Sequence, residues 1–279
     1  MPAETPGLEL LAHGFMRHAL IACVAIGLAA PAVGTFVVQR RQSLIGDGLG
    51  HVAFAGVGLA VLVDVPVLAG AAILAVGAAL LLPTLQRSGL TGDLALAIVF
   101  YGGIALGYVL LHRSGASVTS ALGVLFGSPL TLSLGDALAI AGLAAAAVAI
   151  VAVAYRRLVA VTFDEQAARV AGVATQRLVR LLTVVVALVV IGGMYAIGIL
   201  LVAGMMVVPV AAASQLTHSY RATLLGAAAV GGGSALLGLT AAYYADETPG
   251  AAIVLTAIAC YVAAVGLRAL RSRRQPGAA

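Results

Sequence analysis

The chain has 279 residues, 62% of them hydrophobic and 9% charged, with a mean hydropathy of +1.13. Soluble domains run near 25% charged, so this composition excludes a water-soluble globular fold and indicates an integral membrane protein. The net charge of +5 is no nucleic-acid footprint, because all 15 basic residues are Arg and they flank apolar segments.

Apolar runs of about 17–25 residues mark spanning helices, and nine are predicted in one all-α, polytopic transmembrane bundle over 1–279. The first, 18–38, is followed by Arg40 and Arg41 rather than by a small-residue cleavage site, so it reads as a retained span. The second, 45–63, carries Asp47 and His51. Spans 65–85 and 93–111 follow, with Asp93 placed to cap the latter, and the fifth is 132–155. The sixth and seventh, 178–192 and 195–216, divide one long run at Gly192 and Gly193, which suits a tight hairpin or a broken helix. The last two are 223–243 and 250–270. Cys23 and Cys260 are isolated thiols in apolar spans, neither a disulfide framework nor a zinc knuckle. Small-xxx-small pairs, Gly46 with Gly50 and Gly103 with Gly107, predict close helix packing, and Met205 and Met206 read as packing rather than soft-metal ligands.

With the amino terminus outside and nine spans, thirteen arginines face the cytoplasm and only Arg17 and Arg113 face out. That asymmetry obeys the positive-inside rule and supports an odd span count.

Asp47 and His51 stand four residues apart, about one helical turn, so they share a face. An Asp deep in a bilayer costs about 3 kcal/mol on insertion scales, so the pair is the first place to look for function. One carboxylate and one imidazole form half of a tetrahedral or octahedral site for a divalent metal. A symmetric homodimer with this helix at its axis supplies the other half. A proton relay and a purely structural Asp–His pair remain open alternatives at this point.

Between the fifth and sixth spans, Thr162 with Glu165 three residues on has the form of a capping box, and Gly172 suits a C′ position. A short cytoplasmic helix, 163–171, is predicted there, either a plain loop helix or a docking knob. The chain holds no Gly-x-x-x-x-Gly-Lys phosphate loop and no His-Glu-x-x-His pair. Direct ATP hydrolysis by that route and zincin-type proteolysis are thereby excluded. The run Gly231 to Ser234 lacks a plausible His partner for serine chemistry.

The stretch FVVQRRQSLIGDGLGHVAFAGVGL (36–59) resembles the signature of the zinc/manganese ABC-transporter permeases: an Arg pair, then Ser, Gly-Asp, and a His four residues after the Asp. AIVFYGGIALG (97–107) resembles that family's fourth-span pattern and LFGSPL (125–130) its external segment. FDEQAARVAG (163–172) resembles its cytoplasmic coupling helix, GILLVAGMMVVPVAAA (198–213) a late segment, and PGAAIV (249–254) the start of the last span. The resemblance implies a type II-like importer permease in a bacterial plasma membrane, with zinc favoured as cargo and manganese next, and no permanently bound cofactor. It implies that Asp47 and His51 touch the metal. It implies that Phe163, Asp164, Glu165, Arg169 and Gly172 dock into a cytoplasmic ATPase dimer, and that an extracytoplasmic metal-binding protein and a second copy of the chain are further partners. Gly48 and Gly50 depart from the family's larger residues, implying a more open site, and Ser128 stands where an acid is common.

Overall fold

A computed structural model describes residues 13–87, 92–115, 123, 125 and 127–274. Asp93's side chain and Phe126 of the external motif lie outside the described residues, so the proposed Asp93 cap does too. Among the described residues there are ten α-helices and no strand. They are α1 (Gly14–Gln39), α2 (Ile45–Leu62), α3 (Val67–Arg87), α4 (Gly92–Arg113), α5 (Leu134–Phe163), α6 (Glu165–Val170), α7 (Thr175–Ala196), α8 (Ile199–Ser214), α9 (Tyr220–Ala245) and α10 (Pro249–Arg274).

Each predicted span has a helix. Eight are long and apolar enough to cross a membrane, while α8, at 16 residues, is shorter. The fifth helix overruns its predicted end and continues to Phe163, because Arg156 and Arg157 are good helix formers and nothing breaks the ladder at the membrane surface. It starts at a capping box that the sequence reading passed over. Ser133 Oγ accepts from Asp136 N–H (3.1 Å) while the Asp136 carboxylate accepts from Ser133 N–H (3.1 Å). The signal was Ser-x-x-Asp ahead of an apolar run.

The break between the sixth and seventh spans falls at Ile197 and Gly198, not at Gly192 and Gly193, which lie inside α7. Gly198 has φ +92°, open to glycine and costly for other residues. An α-carbon-bound methyl at Gly193 would strike the Val202 side chain. A continuous helix would hold residues nine apart about 13 Å from each other, so α7 and α8 form a tight hairpin. The thiol of Cys23 donates to Ala196 C=O (3.6 Å), which sets the hairpin tip about 13 Å below the outer end of α1. Irregular backbone at that depth needs protein cover. Cover comes from the external segment, where Gly127 (φ +75°) packs against the backbone of Ile197 and Gly198. Pro129 and Leu132 are buried, and Leu132 C=O bonds His18 Nδ1 (3.1 Å).

α2 lies between this hairpin and α4, and small residues set both contacts. A Cβ at Gly46 would meet Met206 Sδ at 2.9 Å, and one at Gly50 would meet Ile199 Cγ2 at 2.9 Å. On the α4 side, a Cβ at Gly103 would stand 2.7 Å from the His51 carbonyl carbon, and one at Gly107 would strike the Phe54 ring. The packing role expected of these glycines is therefore met, and Met205 and Met206 are fully buried as filler. Gly48 and Gly50 do not open the site as implied. Both are buried, and a Cβ at Gly48 would press on Leu96 Cδ1 at 2.9 Å.

Gly103→Leu is expected to lower the unfolding temperature of the detergent-solubilised chain, by about 1–3 kcal/mol of overpacking. Gly102→Leu, whose added side chain starts in open space, serves as the control and is expected to leave the transition unchanged. Equal melting of the two variants would contradict the packing assignment.

Candidate functional site

The first two turns of α2 carry the candidate site. Asp47 Oδ1 lies 3.6 Å from His51 Nε2, so the structure brings the predicted pair together on one face. The environments of the two differ. His51 is 6% exposed and its ring stands edge-on to Phe100, with centroids 4.4 Å apart. Asp47 is half-buried and faces a pocket of about 230 Å³ lined also by Leu44, Leu96, Ala97, Phe100 and Tyr101. The close approach of α4 at Gly103 places Phe100 one turn away against the imidazole. His51 Nδ1 is buried without a hydrogen-bond partner, an exposed debt that buried polar groups seldom carry. Among the described residues, no group of three His, Cys, Asp or Glu side chains gathers here or elsewhere. Ser128, in the external segment, caps the Pro129–Thr131 turn with its carbonyl, which accepts from the Thr131 hydroxyl (2.8 Å).

The second candidate is α6. Its cap differs from the predicted one. Asp164, not Thr162, is the N-cap, and its carboxylate accepts from Ala167 N–H (2.8 Å). Thr162 lies inside α5, where its hydroxyl donates to Leu158 C=O (2.7 Å), the local back-bond open to Thr within a helix. Phe163 is the last residue of α5, so the short helix starts at Glu165, two residues later than predicted. Gly172 holds the expected C′ place at φ +80°. Its N–H bonds Arg169 C=O (3.0 Å) and Val173 N–H bonds Ala168 C=O (3.0 Å), a Schellman closure.

Arg40 is the residue that the sequence reading missed at this site. Its Nη2 pairs with Glu165 Oε2 (3.0 Å) while its Nη1 donates to Val161 C=O (3.2 Å). Glu165 also meets Arg169 one turn on (3.3 Å). Arg40 served the sequence reading as a topology marker and as part of the family's Arg pair, whereas its carboxylate stands 125 positions on, beyond an intervening cytoplasmic loop. The Phe163 ring meets Tyr220 at a tilt, with centroids 5.8 Å apart, and Tyr220 reaches Phe36 and Tyr155 in turn. The solvent face of this knob mixes charge with two large apolar groups, since Phe163 is 73% and Val170 90% exposed beside the exposed Asp164, Gln166 and Arg169.

The model of the ABC 3 transport family matches residues 12–268. The chain belongs to that family. Membership makes it a multi-pass transport subunit and not an enzyme. Several relatives carry manganese in their names, and two serve as examples. The manganese transport system membrane protein MntC of Listeria innocua is 31% identical over 89% of each chain. The manganese import system permease protein ScaB of Streptococcus gordonii is 29% identical over 87% of each. The solved PsaBC of Streptococcus pneumoniae, in complex with Fab, superposes with a TM-score of 0.84 at 28% identity, covering 93% of this chain and 94% of that one. The family match runs through both α2 and α6 and so includes both candidate sites.

Asp164→Ala is expected to destabilise α6 by about 1 kcal/mol, the worth of an N-cap, and to speed amide exchange over 165–171. Thr162→Ala is expected to leave that exchange unchanged, and the reverse order would restore Thr162 as the cap.

Proposed function

We propose that the chain is the membrane-spanning subunit of an ATP-driven importer, moving a divalent transition metal across a bacterial plasma membrane into the cytoplasm. The 3.6 Å Asp47–His51 separation carries this reading. It is longer than a well-formed hydrogen bond and within ion-pair reach, so the two side chains stand close without being locked to each other. Two ligands about 2.1 Å from one ion stand about 3.4 Å apart in a tetrahedral site and about 3.0 Å apart as cis ligands of an octahedral one, so a shift of a few tenths of an ångström lets the pair share either ion. Two ligands per chain suit a passing cargo better than a closed structural site.

The pocket beside Asp47 opens on the surface of the single chain, where Leu44 is 64% and Tyr101 68% exposed. A carboxylate turned toward lipid is costly. A second copy packed there about a two-fold axis covers the face and raises the set to two carboxylates and two imidazoles.

Manganese is the proposed cargo, because the relatives named above carry it in their names. Zinc, favoured from the sequence, comes next, since imidazole and carboxylate serve both ions. A self-contained proton-coupled carrier is not favoured, given membership in the ABC 3 transport family. An ATPase dimer supplies the energy by docking on 162–173, and an extracytoplasmic metal-binding protein delivers the ion to the outer loops.

Force then has a short route. A push on α6 moves Glu165, which holds Arg40 at the corner between α1 and α2. Seven residues beyond Arg40 stands Asp47. The corner is stiff, because Arg41 sits at φ +57° and Gln42 N–H bonds back to Val37 C=O (3.0 Å).

The test is metal uptake by vesicles holding the chain with its ATPase. Asp47→Ala and His51→Ala are expected to cut uptake at least tenfold, the order seen when a metal site loses a supporting group. Equal uptake by folded variants would sink the site assignment. Zn²⁺ is expected to block Mn²⁺ uptake at the lower concentration whichever is cargo, because this ligand set binds zinc more tightly. Glu165→Gln is expected to keep ATP hydrolysis while less metal moves per ATP, and unchanged stoichiometry would remove the Arg40 route.

A further inference from the structure

A groove of about 460 Å³ lies between α1, α5 and α9, well away from Asp47. Its buried base is Ala32 of α1 and Val151 of α5. Along one side run the apolar Val148 and Ala152, and along the other Leu225. Arg156 and Arg221 line the same groove.

The depth of that mouth follows from helix length. α5 enters from the outer side at Leu134. Arg156 lies 22 residues on, about 33 Å along the axis, close to the roughly 30 Å thickness of the hydrocarbon core. It therefore stands at the inner boundary between hydrocarbon and headgroups. Arg221 is the second residue of α9, which enters the membrane from the cytoplasmic side. Val148 lies eight residues back from Arg156, about 12 Å toward the membrane centre. The groove thus runs from a cationic mouth at headgroup level into an apolar trench at acyl-chain depth.

Neither guanidinium pairs with a carboxylate among the described residues, and both are exposed. Two unneutralised cations at one mouth repel each other unless an anion sits between them. A guanidinium fork suits phosphate oxygens, and basic pockets between spanning helices on the cytoplasmic side favour anionic headgroups. The α9 end adds the positive pole of its helix dipole beside Arg221. A soluble partner does not reach acyl depth. A second copy meeting this face about a two-fold axis would set these arginines against their own copies.

We propose that this groove is a binding site for an anionic phospholipid of the cytoplasmic leaflet, its phosphate between Arg156 and Arg221 and an acyl chain in the trench over Ala32 and Val151. Tyr155 lines the site and touches Phe36 and Tyr220 (both 6.2 Å), and Tyr220 touches Phe163 beside α6. The lipid thus buttresses the aromatic cluster on which the docking helix rests.

Native mass spectrometry of the full-length chain, delipidated and then given equal amounts of phosphatidylglycerol and phosphatidylcholine, tests this. Wild type is expected to retain phosphatidylglycerol in excess. Arg156→Ala with Arg221→Ala is expected to reduce that excess roughly tenfold, from the loss of two charges at the membrane surface. Ala152→Phe, which fills the trench and leaves both charges, is expected to lose bound lipid as well, whereas Arg157→Ala, outside the groove lining, keeps it. Equal retention of the two lipids by wild type overturns the proposal, as does undiminished phosphatidylglycerol binding by either Ala152→Phe or the folded double variant. A shift in subunit stoichiometry with unchanged lipid overturns it too and assigns the face to a second copy. Wild type and Ala152→Phe decide the matter even where the double variant fails to fold.

Discussion

The close approach of α2 to its neighbours is the constraint on which the rest of the structure depends. Lipid gives helices no hydrophobic reason to associate, so contact must come from backbones that can come near each other. Gly46 and Gly50 admit Met206 and Ile199 of the hairpin on one side. Gly103 and Gly107 let α4 lie directly on the backbone at His51 and on the ring of Phe54. Within that clamp Asp47 stays half-buried in the first turn of α2, facing the pocket lined by Leu96, Phe100 and Tyr101.

The hairpin is the second half of the clamp. A tip at Ile197 and Gly198, sunk below the outer surface, is tolerable only because Cys23 and the Gly127 segment cover it. The short length of α8 follows from the same geometry, since a helix that turns back inside the protein need not cross the whole bilayer. The external segment thereby gains a structural task, which explains why Gly127 and the buried Pro129 sit where an ordinary outer loop would be polar.

On the cytoplasmic side, one ion pair joins the two regions of functional interest. Glu165 is shared between Arg40 and Arg169, and Arg40 lies in the corner that joins α1 to α2. Arg40 itself is the C-cap of α1, five residues ahead of α2. Surface ion pairs contribute little to stability. The Arg40 side chain, however, is only 13% exposed and also donates to Val161, so this pair works in a drier setting and fixes the corner's geometry.

Composition and periodicity by themselves determined that the protein is an all-α membrane bundle, where each apolar helix lies, and that Asp47 and His51 share a face. Those are local properties, set by transfer free energy and helical pitch. The Ser133 capping box was equally local and legible in Ser-x-x-Asp. The tertiary structure alone decided the rest. Whether Gly192 or Gly198 breaks the long run depends on which one a neighbour can cover, and the cover comes from residues some seventy positions earlier. Whether Thr162 or Asp164 caps α6 depends on how far α5 continues past the membrane surface. Gly48 and Gly50 are filled rather than open because Leu96 and Ile199 lie against them. Arg40 found its carboxylate 125 positions away. Each of these turns on contacts between distant segments, which spacing along the chain does not encode.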